Sequence, residues 1–165
     1  MEEIFVGDYV VRADRYYTKD HLWVKIRGNK ATIGITDFTA RALEEVDSLE
    51  LPQKDIELET GDVSASIEFG DEVINIITPL SGVVIDVNKS LDEDPSELLE
   101  SPYDDGWLYE IEISDTQEIE DLISAEDYAQ LLSELTHEPI YEETEEELEE
   151  PLENIPDDEF YEDKP

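Results

Sequence analysis

Short runs of alternating apolar and polar residues, broken by glycine, proline or acidic pairs, fill most of the chain as far as Asp115. The stretch "LWVKIRGNKATIGI" (22–35) consists of two such runs around Gly28-Asn29, which predicts a β-hairpin. Its alternation places Trp23, Lys25 and Arg27 on one face and Leu22, Val24 and Ile26 on the other. "ITDFTARALEEV" then changes period and predicts a short helix, with Thr36 or Asp37 as N-cap and Phe38, Ala42 and Leu43 along one side. "DSLELP" reads as a strand stopped by Pro52. "SIEFGDEVINIITPLSG" (66–82) reads as strand, two-residue turn at Gly70-Asp71, strand and a Pro/Ser/Gly exit, followed by a further strand, "GVVIDVN". In "DEDPSELLE", Pro95 fits the first turn of a short helix, and the acids there suit the helix N-terminal dipole. In "GWLYEIEIS" the alternation sets Trp107, Tyr109 and Ile111 against Leu108, Glu110 and Glu112. "SAEDYAQLLSEL" carries the strongest helix pattern, with Ser124 as cap and an apolar stripe of Tyr128, Leu131, Leu132 and Leu135.

Many short strands and few helices predict a mostly β fold with a little α: a flattened barrel or sandwich with short peripheral helices. Beyond Leu135 the periodicity stops. "EETEEELEEPLENIPDDEFYEDKP" carries blocks of like charge and three prolines, so residues 137–165 are expected to form a disordered acidic tail after a single domain at 1–136. Its acids are interrupted by Ile140-Tyr141, Leu148, Leu152, Ile155 and Phe160-Tyr161, a spacing that suits folding onto a basic, grooved partner.

Charge narrows the function classes. The 165 residues carry 48 acids against ten bases, for a net charge of −38. The tail contributes 14 acids and one lysine, so residues 1–136 are strongly acidic too. Direct binding to nucleic acid or an anionic membrane is disfavoured. A cytoplasm of high ionic strength, or basic protein partners, would each suit such a surface. With no cysteine there are no disulfides, thiolate metal sites or cysteine nucleophiles. No apolar run reaches the ~18 residues of a membrane span. The start "MEEIFVGDYVV" lacks a signal-peptide layout, so a cytoplasmic location is expected.

Candidate chemistry is sparse. His21 and His137 are the only histidines, too few for a multi-histidine metal centre, and neither belongs to a nucleophile motif. His21 reads as structural or as a surface residue, and Trp23 and Trp107 as barrel packing. Glu68, Asp71 and Glu72 read as solvated turn residues, and no EF-hand loop occurs. No nucleophile–base pair or phosphate-cradling glycine loop stands out, so no catalytic or metal residue is assigned and no enzyme activity is expected.

Several segments in order resemble the glycine cleavage system H protein family: "HLWVKIRGNKATIGITDFTARAL" (21–43), "LELP" (49–52), the stretch from Thr78 to Asp115, and "LISAEDYAQLLSEL" (122–135). The likeness spans about Tyr17 to Leu135. It implies a lipoyl-domain fold, a barrel-sandwich hybrid, in which a lysine at a hairpin tip carries lipoic acid through an amide bond. In that family the arm takes an aminomethyl group from the decarboxylase, passes it to the aminomethyltransferase and is reoxidised by dihydrolipoyl dehydrogenase. The protein itself catalyses nothing. The family's tip has a glutamate three residues before the lysine, and the lysine eight residues before the proline of a Pro-x-Ser-Gly exit. Glu68 and Pro79 match that glutamate and proline with no gap, so the lysine's position falls on Asp71. Phe69, Gly70 and Glu72, which complete the tip, offer no amine. The nearest lysines, Lys54 and Lys89, lie 17 and 18 residues away. A carboxylate cannot form the amide, so lipoate is not expected. The resemblance then implies a docking or regulatory module for partners from a lipoyl or glycine cleavage system. The alternative is a true aminomethyl carrier modified at an atypical lysine.

Overall fold

The computed structural model describes residues 3–143, with side chains placed through Tyr141. Three hairpins share one connection. Strands β1 (Glu3–Val6) and β2 (Tyr9–Arg12) meet at Gly7-Asp8. After the short β3 (Tyr16–Tyr17), β4 (Leu22–Arg27) and β5 (Lys30–Ile35) meet at Gly28-Asn29. After α1 (Asp37–Leu43), β6 (Ser48–Glu50) and β7 (Glu57–Leu58), strands β8 (Val63–Phe69) and β9 (Glu72–Ile77) meet at Gly70-Asp71. In each turn the glycine has φ near +60° while its successor stays out of the left-handed region, the signature of a type II′ turn with glycine first.

The chain continues through β10 (Gly82–Val87), α2 (Ser90–Glu93), α3 (Glu97–Glu100), β11 (Tyr109–Ile113), a 3₁₀ turn (Thr116–Asp121), α4 (Ala125–Thr136) and β12 (Ile140–Glu143). A six-stranded sheet in the order β3-β4-β5-β11-β10-β7 packs against a three-stranded sheet β6-β8-β9. Between them lies the main core, to which Val24, Ile33, Val84 and Ile111 contribute from one sheet and Ala65, Ile67 and Ile76 from the other. This is the expected mostly β sandwich with peripheral helices.

A bulge between Val63 and Ala65 turns both Ser64 and Ala65 inward. Buried Ser64 is satisfied on both sides: the Tyr109 hydroxyl donates to its Oγ at 2.7 Å, and that Oγ donates to the Ile76 carbonyl at 3.1 Å. The Pro/Ser/Gly exit is equally determined. Ser81 donates from both N and Oγ to the Glu118 carboxylate, at 2.7 and 2.9 Å. At Gly82 a Cβ would stand 2.2 Å from the Glu112 carbonyl oxygen, so no side chain fits.

A second core forms on the other face of β4. Here Trp23, Tyr17, Tyr103 and the inner side of α4 meet Ile4, Val6 and Val11 of a third sheet, β12-β1-β2. The alternation along β4 therefore separates two cores rather than core from water. Trp23 fits because its cross-strand neighbour is Gly34.

Several sequence expectations shift in detail. The boundary placed near Thr136 falls inside this assembly, because Ile140–Glu143 pairs antiparallel with β1. The strand is held by backbone pairing to the N-terminus, a contact no local pattern of an acidic segment announces. The disorder expected of the remaining tail concerns residues 144–165, which lie outside the described residues. On α4 the buried stripe is Ala125, Tyr128, Ala129 and Leu132, while Leu135 is 54% exposed beyond it. On α1, Ala40 rather than Ala42 joins Leu43 in the core. Pro95 lies between α2 and α3, just ahead of the latter's first turn. The strand alternation starts only at Tyr109, so Leu108 shares the main core with Tyr109 and Ile111, and Trp107 packs on the second.

Candidate functional site: the tip between β8 and β9

The tip is built from both strands and braced from β6. Glu68 pairs with Val73 and Phe69 with Glu72, so the loop contains only Gly70 and Asp71. Phe69 packs its ring against the main core, anchoring the last rung of the hairpin. Glu68 points outward, where its carboxylate accepts from Ser48 Oγ at 2.8 Å. Asp47, one residue before β6, grips the tip twice. Its N–H donates to the Glu68 carbonyl at 2.8 Å, and its carboxylate accepts from the Gly70 N–H at 2.7 Å.

Asp71 and Glu72 are exposed at the end of this braced hairpin, and no atom comes within 4 Å of where a Cβ on Gly70 would stand. Asp71 is thus an exposed side chain in a turn whose backbone is held in place. Glu68, Phe69, Gly70, Asp71 and Glu72 are brought together as one tip, and none of the chain's six lysines lies on β6, β8 or β9. The bracing by Asp47 is the part that the sequence pattern does not announce, since Asp47 and Gly70 are separated by 23 residues. Among the described residues, no group of three or more His, Asp or Glu side chains is placed to hold a metal ion.

His21 is not part of the tip. It sits at the start of β4 with φ +67°, its Nδ1 2.7 Å from the Tyr128 hydroxyl and its ring 4.5 Å from that of Phe38. Burial lowers its pKa, partly offset by the charge of Asp20. The Tyr128 hydroxyl also donates to the buried Thr36 Oγ at 3.1 Å, so Thr36 holds α4 rather than capping α1 with its side chain. His21 is a structural pin between α4 and the β4–β5 hairpin. His137 ends α4 in the left-handed conformation, the usual C-terminal geometry of a helix.

The six- and three-stranded sheets with the β8–β9 hairpin make a sandwich of the lipoyl-domain type. The profile of the glycine cleavage H-protein family matches residues 15–135. Glycine cleavage system H protein 4 of Aquifex aeolicus is 41% identical over 138 residues, which cover 84% of this chain and 81% of that protein. The glycine cleavage system H protein of Staphylococcus epidermidis is 42% identical over 118 residues, 72% of this chain and 94% of its own length. The crystal structure of a glycine cleavage system H protein from Mycobacterium marinum superposes with a TM-score of 0.65 at 28% identity, covering 74% of this chain and 99% of that one. This chain belongs to the glycine cleavage H-protein family. Among its described residues no helix is long and apolar enough to cross a membrane.

Proposed function

We propose that this chain is a non-catalytic H-like protein that keeps the carrier fold without the lipoyl arm. It serves as a docking or regulatory module for proteins of a glycine cleavage or other lipoyl-dependent system. The observation that carries the reading is Asp71, eight residues before Pro79, at the tip of a hairpin whose register leaves no lysine near that position. Lipoylation needs an unprotonated amine to attack the activated lipoyl carbonyl. The Asp71 carboxylate is a poor nucleophile, would give an anhydride rather than an amide, and repels an anionic acyl donor. The tip itself does not depend on a lysine: glycine supplies the turn, Asp47 braces it, and Phe69 anchors it. What remains is a rigid, acidic projection suited to docking on a basic protein surface.

The test is the intact mass of the chain after incubation with a lipoate–protein ligase, ATP and lipoate. The natural sequence is expected to gain no mass. Asp71→Lys is expected to gain one lipoyl group, because the second turn position has ordinary backbone angles and accepts a lysine without strain. A lipoyl adduct on any lysine of the natural sequence would overturn the proposal and make the chain a carrier modified at an atypical site.

A further inference from the structure

We propose that β9 is an open docking edge, which pairs with an extended segment of a partner protein that carries lysine or arginine at both ends. The inference rests on the reading of this chain as a docking module, and it names the surface through which that module binds.

β9 is an outer strand of the sheet β6-β8-β9, and its second edge meets no other strand. The two-residue turn fixes which backbone groups face that edge. Phe69 and Glu72 close the loop as a hydrogen-bonded pair, and in an antiparallel ladder such pairs alternate with non-bonded ones. Glu72, Ile74 and Ile76 therefore bond to β8, while Val73, Asn75 and Ile77 turn their N–H and C=O groups outward. Contacts at both ends of the hairpin keep this phase. The Glu68 carbonyl, opposite Val73, points away from β9 and accepts the Asp47 N–H at 2.8 Å. The Thr78 N–H points back across the hairpin to the Asp62 carbonyl at 2.9 Å. Among the described residues, nothing bonds to the outward groups of Val73, Asn75 and Ile77.

Soluble proteins usually guard such an edge with lysine, proline, a bulge or a very short strand. β9 has six residues with neither lysine nor proline, and the bulge of this hairpin lies on β8. Val73 is 57% exposed beside the open edge. On the outer face of the sheet, Glu50, Ser66 and Asn75 form one cross-strand row. That row lines a groove of about 360 Å³, with room for a side chain of an added strand. In pairing of this kind the main-chain bonds supply affinity and such a groove supplies side-chain preference.

Charge selects the occupant. Residues 59–80 hold five acids and no base, and Glu68, Asp71 and Glu72 are exposed at the tip end of the edge. Asp62 is exposed at the other end, next to Thr78. A strand laid along β9 meets carboxylates at both ends, which favours basic residues there and repels acidic ones. A second copy is disfavoured on the same ground. Antiparallel pairing of two β9 strands would set each acidic tip beside the other's Asp62, between chains of net charge −38.

The test follows amide hydrogen exchange of the full chain by NMR, with a synthetic peptide of alternating valine and threonine flanked by lysine pairs as the probe. With the probe at ~10 times its Kd, the amides of Val73, Asn75 and Ile77 should exchange ~10-fold more slowly. Those of Ile74 and Ile76, already bonded to β8, should change little. The same peptide with every valine and threonine N-methylated keeps its charge but cannot pair, and should give no protection. A peptide with glutamate in place of lysine should bind at least ~10-fold more weakly. Protection at none of the three amides, or equal protection by the methylated or the glutamate peptide, would overturn the proposal. So would slow exchange of the three amides in the free chain that grows with protein concentration, which would make a second copy the occupant. The lipoylation test bears on the Asp71 side chain alone. A natural chain that stays unlipoylated while the probe fails to pair therefore sinks this inference and leaves the proposed function standing.

Discussion

Replacing Gly34 by alanine isolates how the two cores share β4. Glycine in a strand interior is ordinarily worse than alanine by ~0.5–1 kcal/mol, so propensity alone favours the change. Gly34 has no left-handed backbone to preserve, so the outcome turns on space. The new Cβ would stand 2.5 Å from Cε2 and Cζ2 of Trp23, against an optimum of ~3.5–4.0 Å between carbons. The indole must retreat by ~1 Å, and it is held: it is 1% exposed, its N–H donates to the Pro102 carbonyl at 2.8 Å, and Arg15 lies on its face.

Overpacking of this kind costs ~1–3 kcal/mol. Weakening the buried indole hydrogen bond adds ~1 kcal/mol, and disturbing the Arg15 contact a further ~0.5–1 kcal/mol. After the propensity gain, the net loss is about 2–4 kcal/mol, a large share of the ~5–15 kcal/mol that a domain of this size holds. Urea unfolding followed by far-UV circular dichroism measures it, urea being chosen because it leaves the charge repulsion unscreened. With slopes of ~1–3 kcal/mol per molar, the midpoint should fall by roughly 1–2 M without a change in slope. Adding Trp23→Phe should recover part of the loss, because the two changes act on one contact. A Gly34→Ala protein as stable as the natural chain would refute the packing argument.

Three further outcomes follow from the same contacts. Tyr128→Phe removes the hydroxyl that joins His21, Thr36 and α4, and should lower stability by ~1–3 kcal/mol in thermal unfolding; an unchanged midpoint would mean water replaces it freely. His21 has its folded pKa lowered, chiefly by burial, so the unfolded chain takes up its proton first. Stability should therefore fall as pH drops through ~6.5 towards the folded value, and His21→Gln should flatten that slope; parallel pH profiles for the two proteins would contradict this. Raising salt from low concentration to ~1 M, which shortens the Debye length to ~3 Å, should raise the unfolding midpoint of a chain with net charge −38. A falling midpoint would show that favourable ion pairs, not repulsion, dominate the surface.

The parts of the fold legible in the sequence are those written locally. Gly28-Asn29 and Gly70-Asp71 between alternating runs gave their hairpins, and Ser124 three residues before Asp127 gave the cap of α4, where Ser124 Oγ accepts the Asp127 N–H at 3.1 Å. What stayed hidden was carried by contacts distant in sequence. Gly7-Asp8 had the same turn chemistry, yet the β1–β2 hairpin gains its stability only by covering α4 and pairing with β12. Arg15 reads as one charge in an irregular segment until Trp23 and Tyr103 enclose it. The shared face of Trp23, Lys25 and Arg27 was visible, but not that Trp23 at one end would be core and Arg27 at the other exposed.

The two-residue turn of the β8–β9 hairpin was legible, though not its bracing by Asp47, because Gly70-Asp71 separates two alternating runs and Pro79, Ser81 and Gly82 mark the exit. The structure gives the exit its physical content. Ser81 is clamped by Glu118, and Gly82 allows no Cβ against Glu112, so β9 cannot slide relative to the rest of the barrel. A one-residue slip of β9 would turn Ile74 and Ile76 away from the core and bring Asn75 in, a loss of buried side chains at ~1.5–3 kcal/mol each. The same packing that holds the sandwich together therefore holds residue 71 in the two-residue turn of the hairpin. The turn's geometry is therefore held by residues other than Asp71: Phe69 packs on the core, and Asp47 accepts from the Gly70 N–H.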